Sequence, residues 1–240
     1  MTYKRILVFS SSRVGGGSFL QAAVPIIKNF LGPGKLNILF LPFASVERPY
    51  PEYLTIVSSA LADIPRQIEI LEPANAKAQL AGADVIMVGG GNTFKLLHDL
   101  YELKLLDIIR DKVDKGTPFI GWSAGANITC PTIGTTNDMP VISPKSLNAL
   151  GLFPFQINPH YTNLQLEGHY GETRDDRIKE FLLLNPGIPV VGLPEGSVLK
   201  MDVGVLTYMG NSNGILFYHE TNGCTAQREI QANEDLSFLL

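Results

Sequence analysis

Ser123 stands between two glycines in the run Gly121-Trp122-Ser123-Ala124-Gly125. G-x-S-x-G is the spacing of a nucleophile elbow. The serine sits on a tight strand-to-helix turn that lifts its hydroxyl clear of the sheet, and a Cβ at either flanking position would crowd the turn. A serine hydroxyl attacks poorly at neutral pH until a base accepts its proton. Four histidines are available: His98, His160, His169 and His219. His160 follows an apolar run and is stiffened by Pro159, which makes it the foremost candidate; His169, in a glycine-bearing polar loop, is a lesser one. An imidazole in this role needs a carboxylate to hold its tautomer and stabilise its charged form. Asp138, within Thr136-Asn137-Asp138-Met139-Pro140, and Glu195, within Leu193-Pro194-Glu195-Gly196, both qualify. Triad geometry recurs with different chain orders, so the order of residues does not choose between them.

These side chains need a scaffold. Residues 4–10, 36–41, 67–71, 84–88 and 117–120 are short, nearly continuous apolar runs, the pattern of strands buried on both faces of a parallel sheet. Segments with helical spacing alternate with them, over 19–31, 52–61, 94–101 and 105–115. The strand at 84–88 runs into Gly89-Gly90-Gly91, which lets the backbone come close to a ligand. In an open parallel sheet ligands lie beyond the carboxyl ends of the strands. The N–H of Gly90 or Gly91 is therefore expected to join that of Ala124 in holding an oxyanion. Thr173 with Asp176 has the spacing of a capping box and opens a further helix. The stretches 197–201, 203–208 and 214–219 alternate more and read as antiparallel strands at the sheet's edge or flank.

Bulk properties narrow the function classes. With 240 residues, 45% hydrophobic and 18% charged, and no linker-like stretch, one α/β domain over 1–240 is expected. A net charge of −4 without a basic cluster argues against nucleic acid as a partner. No apolar run reaches the length of a membrane span, and no signal sequence is evident, so a cytoplasmic protein is expected. Two cysteines indicate neither a disulfide framework nor a CxxC metal site.

Several spaced blocks together resemble the peptidase E family, the α-aspartyl dipeptidases, serine peptidases of the class I glutamine-amidotransferase-like superfamily. They are Val88-Gly89-Gly90-Gly91-Asn92-Thr93-Phe94, Gly121 to Asn127, Thr135-Thr136-Asn137-Asp138-Met139-Pro140, Gln156-Ile157-Asn158-Pro159-His160, Glu167-Gly168-His169 and Gly171-Glu172-Thr173-Arg174. The resemblance implies a flavodoxin-like three-layer α/β/α sandwich and hydrolysis of dipeptides with an N-terminal aspartate. It implies Ser123 as nucleophile, His160 as base and Asp138 as the usual triad acid, with Glu195 in a family-like block as the alternative. It also implies Arg174 as the partner of the substrate's β-carboxylate, a role a guanidinium fork suits. No metal or cofactor is expected, the substrate is a small peptide, and the chain would be a monomer or homodimer. The rivals are a cyanophycinase-like hydrolase of β-aspartyl-arginine units and a non-catalytic metabolite-binding module. A glutamine-amidotransferase-like enzyme would want cysteine at the elbow.

Overall fold

The computed structural model describes residues 4–64, 66–164, 168, 171–220 and 223–240. The apolar runs become the centre of a seven-stranded sheet. β1 (Arg5–Phe9), β2 (Leu36–Leu41), β3 (Arg66–Ile70), β4 (Val85–Val88) and β5 (Phe119–Trp122) pair in parallel in the order β3-β2-β4-β5-β1. β8 (Val198–Asp202) and β9 (Val205–Met209) extend the β1 edge in antiparallel fashion, as the alternating pattern near the C-terminus predicts.

Alternation along β1 divides the core. Leu7 and Phe9 face α1 (Val24–Leu31) and α2 (Tyr50–Ala60), whose Ile27, Phe30 and Val57 are buried with them. Ile6 and Val8 face the opposite layer, where α3 (Ala76–Gly82), α4 (Thr93–Glu102), α5 (Leu106–Asp114) and the short α6 (Ala124–Asn127) contribute Leu80, Leu97, Ile109 and Ala126. This is the three-layer mixed α/β sandwich with a mostly parallel sheet. Helical spacing predicts α1 from residue 19, but the helix begins at Val24. Leu20 is held in the left-handed region at φ 55°, and Pro25 starts the helix instead, where its missing N–H costs nothing.

A second, four-stranded sheet is not legible in the local pattern. β6 (Gln156–Pro159) pairs in parallel with β7 (Val190–Leu193), and β10 (Gly214–His219) and β11 (Thr225–Ile230) add antiparallel strands in the order β11-β10-β7-β6. One face of this sheet, through Ile157, Val191 and Leu216, joins the core of the first. The other packs Val190 and Phe217 on Ile178 and Leu182 of α7 (Arg174–Leu184). The predicted capping box of α7 forms: Thr173 Oγ1 accepts from the Asp176 N–H, and the Asp176 carboxylate accepts from the Thr173 N–H. Among the described residues no helix is long and apolar enough to cross a membrane.

Candidate active site

Ser123 follows β5 directly, with β4 and β1 on either side. Its backbone lies at φ 54°, ψ −112°, outside the comfortable regions for a residue with a Cβ. Strain of this kind costs ~1–3 kcal/mol and persists only where the surroundings enforce it. Two close approaches do so here. A Cβ on Gly121 would strike the Gly125 carbonyl, and a Cβ on Gly125 would strike the Val88 carbonyl. The Ser123 N–H is tied to Phe9 O at 3.1 Å. The N–H groups of Gly90, Gly91 and Ala124, by contrast, donate to nothing among the described residues. Gly90 and Gly91 line the same cleft as the serine, and Ala124 follows it directly.

His160 and Glu195 come from the other sheet. His160 follows β6 and, like Ser123, sits at positive φ, 53°. Its Nε2 accepts from Ser123 Oγ at 2.9 Å, and its Nδ1 lies 3.0 Å from Glu195 Oε1, two residues past β7. That partner assigns the proton to Nδ1 and leaves Nε2 as the acceptor. One buried hydroxyl joins the two sheets at this point. Ser10, just after β1, donates to Leu193 O at 2.7 Å and accepts from the His160 N–H at 2.9 Å. No sequence motif marks Ser10; a polar residue ending an apolar strand is its only signal.

Asp138 sits elsewhere. Its Oδ2 accepts from the Thr93 N–H at 2.7 Å and from Thr93 Oγ1 at 2.5 Å, at the start of α4. It makes no hydrogen bond to His160; the carboxylate on the imidazole is Glu195. The neighbouring Asn137 does support the histidine, since its Nδ2 donates to Pro159 O at 2.7 Å. His98 bonds Asp99, and His219 lies beside the Glu220 carbonyl, so neither meets Ser123. His169 lies outside the described residues.

Ser123, His160 and Glu195 line an open cleft of about 550 Å³, together with Gly90, Gly91, Tyr53, Arg13 and Arg48. Arg48 lies over the Tyr53 ring, 5.4 Å from its centroid, and 3.6 Å from Glu52. Arg13, in the same cleft, makes no side-chain ion pair or hydrogen bond among the described residues. Arg174 lines instead a second hollow of about 250 Å³ with Asp138, Asn158 and Arg177. Burial, and then the neighbouring Arg177, push its guanidinium below the ordinary arginine value, with Asp138 pulling the other way. Among the described residues no group of three or more His, Cys, Asp or Glu could hold a metal ion.

This arrangement of strained serine, imidazole, carboxylate and free N–H groups is that of an acyl-transfer site. The family model of peptidase family S51 matches residues 6–207. The chain belongs to peptidase family S51. It is a serine-type peptidase. A Nostoc protein named peptidase E is 46% identical over 238 residues, covering 99% of this chain and 97% of its own length. A peptidase E from Haemophilus influenzae is 47% identical over 214 residues, 88% of this chain and 96% of its own. Among solved structures, a Listeria monocytogenes protein described as a peptidase E superposes with a TM-score of 0.68 at 24% identity. The superposition covers 87% of this chain and 99% of that one, and it bears on the S51 fold alone.

Proposed function

We propose that this S51 peptidase is a dipeptidase that hydrolyses Asp-X dipeptides through an acyl-enzyme on Ser123. The observation that carries the mechanism is the relay from Ser123 Oγ through His160 to Glu195, with bonds of 2.9 Å and 3.0 Å. His160 Nε2 takes the hydroxyl proton as Oγ attacks the peptide carbonyl. The charge that develops on the carbonyl oxygen is met by the free N–H groups of Ala124 and of Gly91 or Gly90. The protonated imidazole, held by Glu195, then gives its proton to the departing amine. Water then attacks the acyl carbon as His160 takes one of its protons, and His160 returns that proton to Ser123 Oγ as the ester bond breaks and the acid product leaves. Glu195 is the triad acid in this reading, and Asp138 organises the turn before α4.

Charge supports the substrate. An Asp-X dipeptide carries one more carboxylate than ammonium; Arg13 and Arg48 line the cleft and Arg174 lines the second hollow. Arg174 is a desolvated cation with a second guanidinium beside it, a place that gains from an incoming carboxylate. Its partner is the β-carboxylate of the N-terminal aspartate. An Asn-X or Ala-X peptide leaves that charge unmatched, so discrimination is expected to be strong.

The test is a panel of Asp-X, Asn-X, Ala-X and β-Asp-Arg dipeptides with wild type and Ser123→Ala. Turnover confined to Asp-X and abolished by Ser123→Ala supports the proposal. Preference for β-Asp-Arg would replace the substrate, and comparable turnover by Ser123→Ala would remove the nucleophile.

A further inference from the structure

Tyr53, in α2, is buried to 3% exposure although it ends in a hydroxyl. Its ring stands edge-on to Phe40, 5.1 Å between centroids, and to Trp122 at 6.5 Å. The hydroxyl is used twice. It accepts from Trp122 Nε1 at 3.0 Å and donates to Gly90 O at 3.1 Å. Trp122 directly precedes the nucleophile, and Gly90 lies in the turn that faces it.

The carbonyl of Gly90 and the N–H of Gly91 are two ends of one planar trans peptide and point in opposite directions. Fixing one end fixes the other. Such a peptide turns over by changing ψ of the residue before it and φ of the residue after it. Here both are glycines, the residues that resist such a change least. The next peptide is held separately, with the Asn92 N–H on Ala44 O at 2.7 Å. Among the described residues Tyr53 is the only donor to Gly90 O. Without it, the free Gly91 N–H can turn away from the cleft.

We propose that Tyr53 is a positioning residue for the oxyanion hole: its hydroxyl locks the Gly90–Gly91 peptide so that the Gly91 N–H meets the oxygen of the carbonyl attacked by Ser123. Trp122 Nε1 aims that hydroxyl by donating to it, which leaves the phenol proton free for Gly90. Burial pushes the phenol up to about 12, so it remains a donor at and well above neutral pH. The inference rests on the acyl-transfer reading of the site but not on the identity of the dipeptide.

Tyr53→Phe keeps the ring and removes the donor. Loss of a whole oxyanion donor costs ~10²–10³ in rate, and loosening one is expected to lower kcat about 10- to 100-fold. KM for an Asp-X dipeptide should stay within about twofold, since the contact matters only as charge develops. The rate of Ser123 labelling by a fluorophosphonate, whose phosphoryl oxygen uses the same hole, should fall by a similar factor. Wild-type turnover of the dipeptide tests the substrate reading. The labelling rate of Tyr53→Phe relative to wild type tests the positioning role even if that reading fails. Unchanged labelling in a folded Tyr53→Phe would overturn the proposal. So would a kcat loss matched by an equal rise in KM, which would mark a general structural role.

Discussion

The two sheets bring unlike things to the cleft. The central sheet brings backbone: the strained Ser123 turn and the N–H groups of Gly90, Gly91 and Ala124, at the ends of strands β4 and β5 that are buried along their whole length. The four-stranded sheet brings side chains: His160 and Glu195, 40% and 57% exposed, on loops after β6 and β7. The half that must hold a developing charge does so with backbone dipoles fixed at the ends of buried strands. The half that must exchange protons is open to water. Ser10 is a polar joint between them, on the histidine backbone and the strand leading to the glutamate at once.

Glu195→Gln tests the exposed half most severely. The amide can hold the imidazole in a wrong tautomer and cannot stabilise its charge, so kcat is expected to drop ~10²–10⁴-fold with KM little changed. If Asp138→Asn were the more damaging of the two, the carboxylate assignment would reverse. Ser10→Ala breaks the joint. It leaves the His160 N–H without its acceptor, while Leu193 C=O keeps the Tyr161 N–H at 3.1 Å, a loss of ~1–3 kcal/mol in stability. Because His160 then loses its fixed position, kcat should fall about tenfold or more through misplacement. Thermal unfolding and kinetics on the same sample separate the two effects, and a Tm shift with intact kcat would show that the joint is only structural. Asp138→Asn alters the central-sheet half mildly. The Asn side chain can still accept from the Thr93 N–H, and what goes is a charge at the start of α4, worth ~0.3–1 kcal/mol; kcat should stay within about tenfold of wild type.

The smallest effect lies away from the cleft, at the α7 cap. The hydroxyl and N–H of Thr173 hold the Asp176 carboxyl below its ordinary value of 3.8. A depressed carboxyl contributes stability above the unfolded-state value and loses it as pH falls through the folded one. Asp176→Asn should therefore lower Tm slightly near neutrality, with the difference from wild type shrinking as pH falls below the ordinary carboxylate value of 3.8. An equal Tm difference in acid would mean that the charge is not what matters there.

Some of the site was open to inspection in the chain. The elbow is local: strand, turn and helix fall within a few residues of Ser123, and the glycines are required by contacts that any such turn creates. The buried strands β1, β2, β4 and β5 show themselves by unbroken apolar runs, and the α7 cap by a three-residue spacing. β11 gives no such sign, because its Thr-Ala-Gln-Arg-Glu-Ile run pairs on one side only and stays largely exposed. Tyr53 and Ser10 are equally silent, since a tyrosine in a helix and a serine after a strand are commonplace until their partners are known.

The sequence by itself determined where a serine would be raised at a bend and which kinds of side chain could serve it, because turn sterics act over four or five residues. It left two carboxylates open for the imidazole. Only the packing of the second sheet against the first decided that Glu195, and not Asp138, lies 3.0 Å from His160. That packing depends on long-range burial of apolar faces, which no short stretch of chain records.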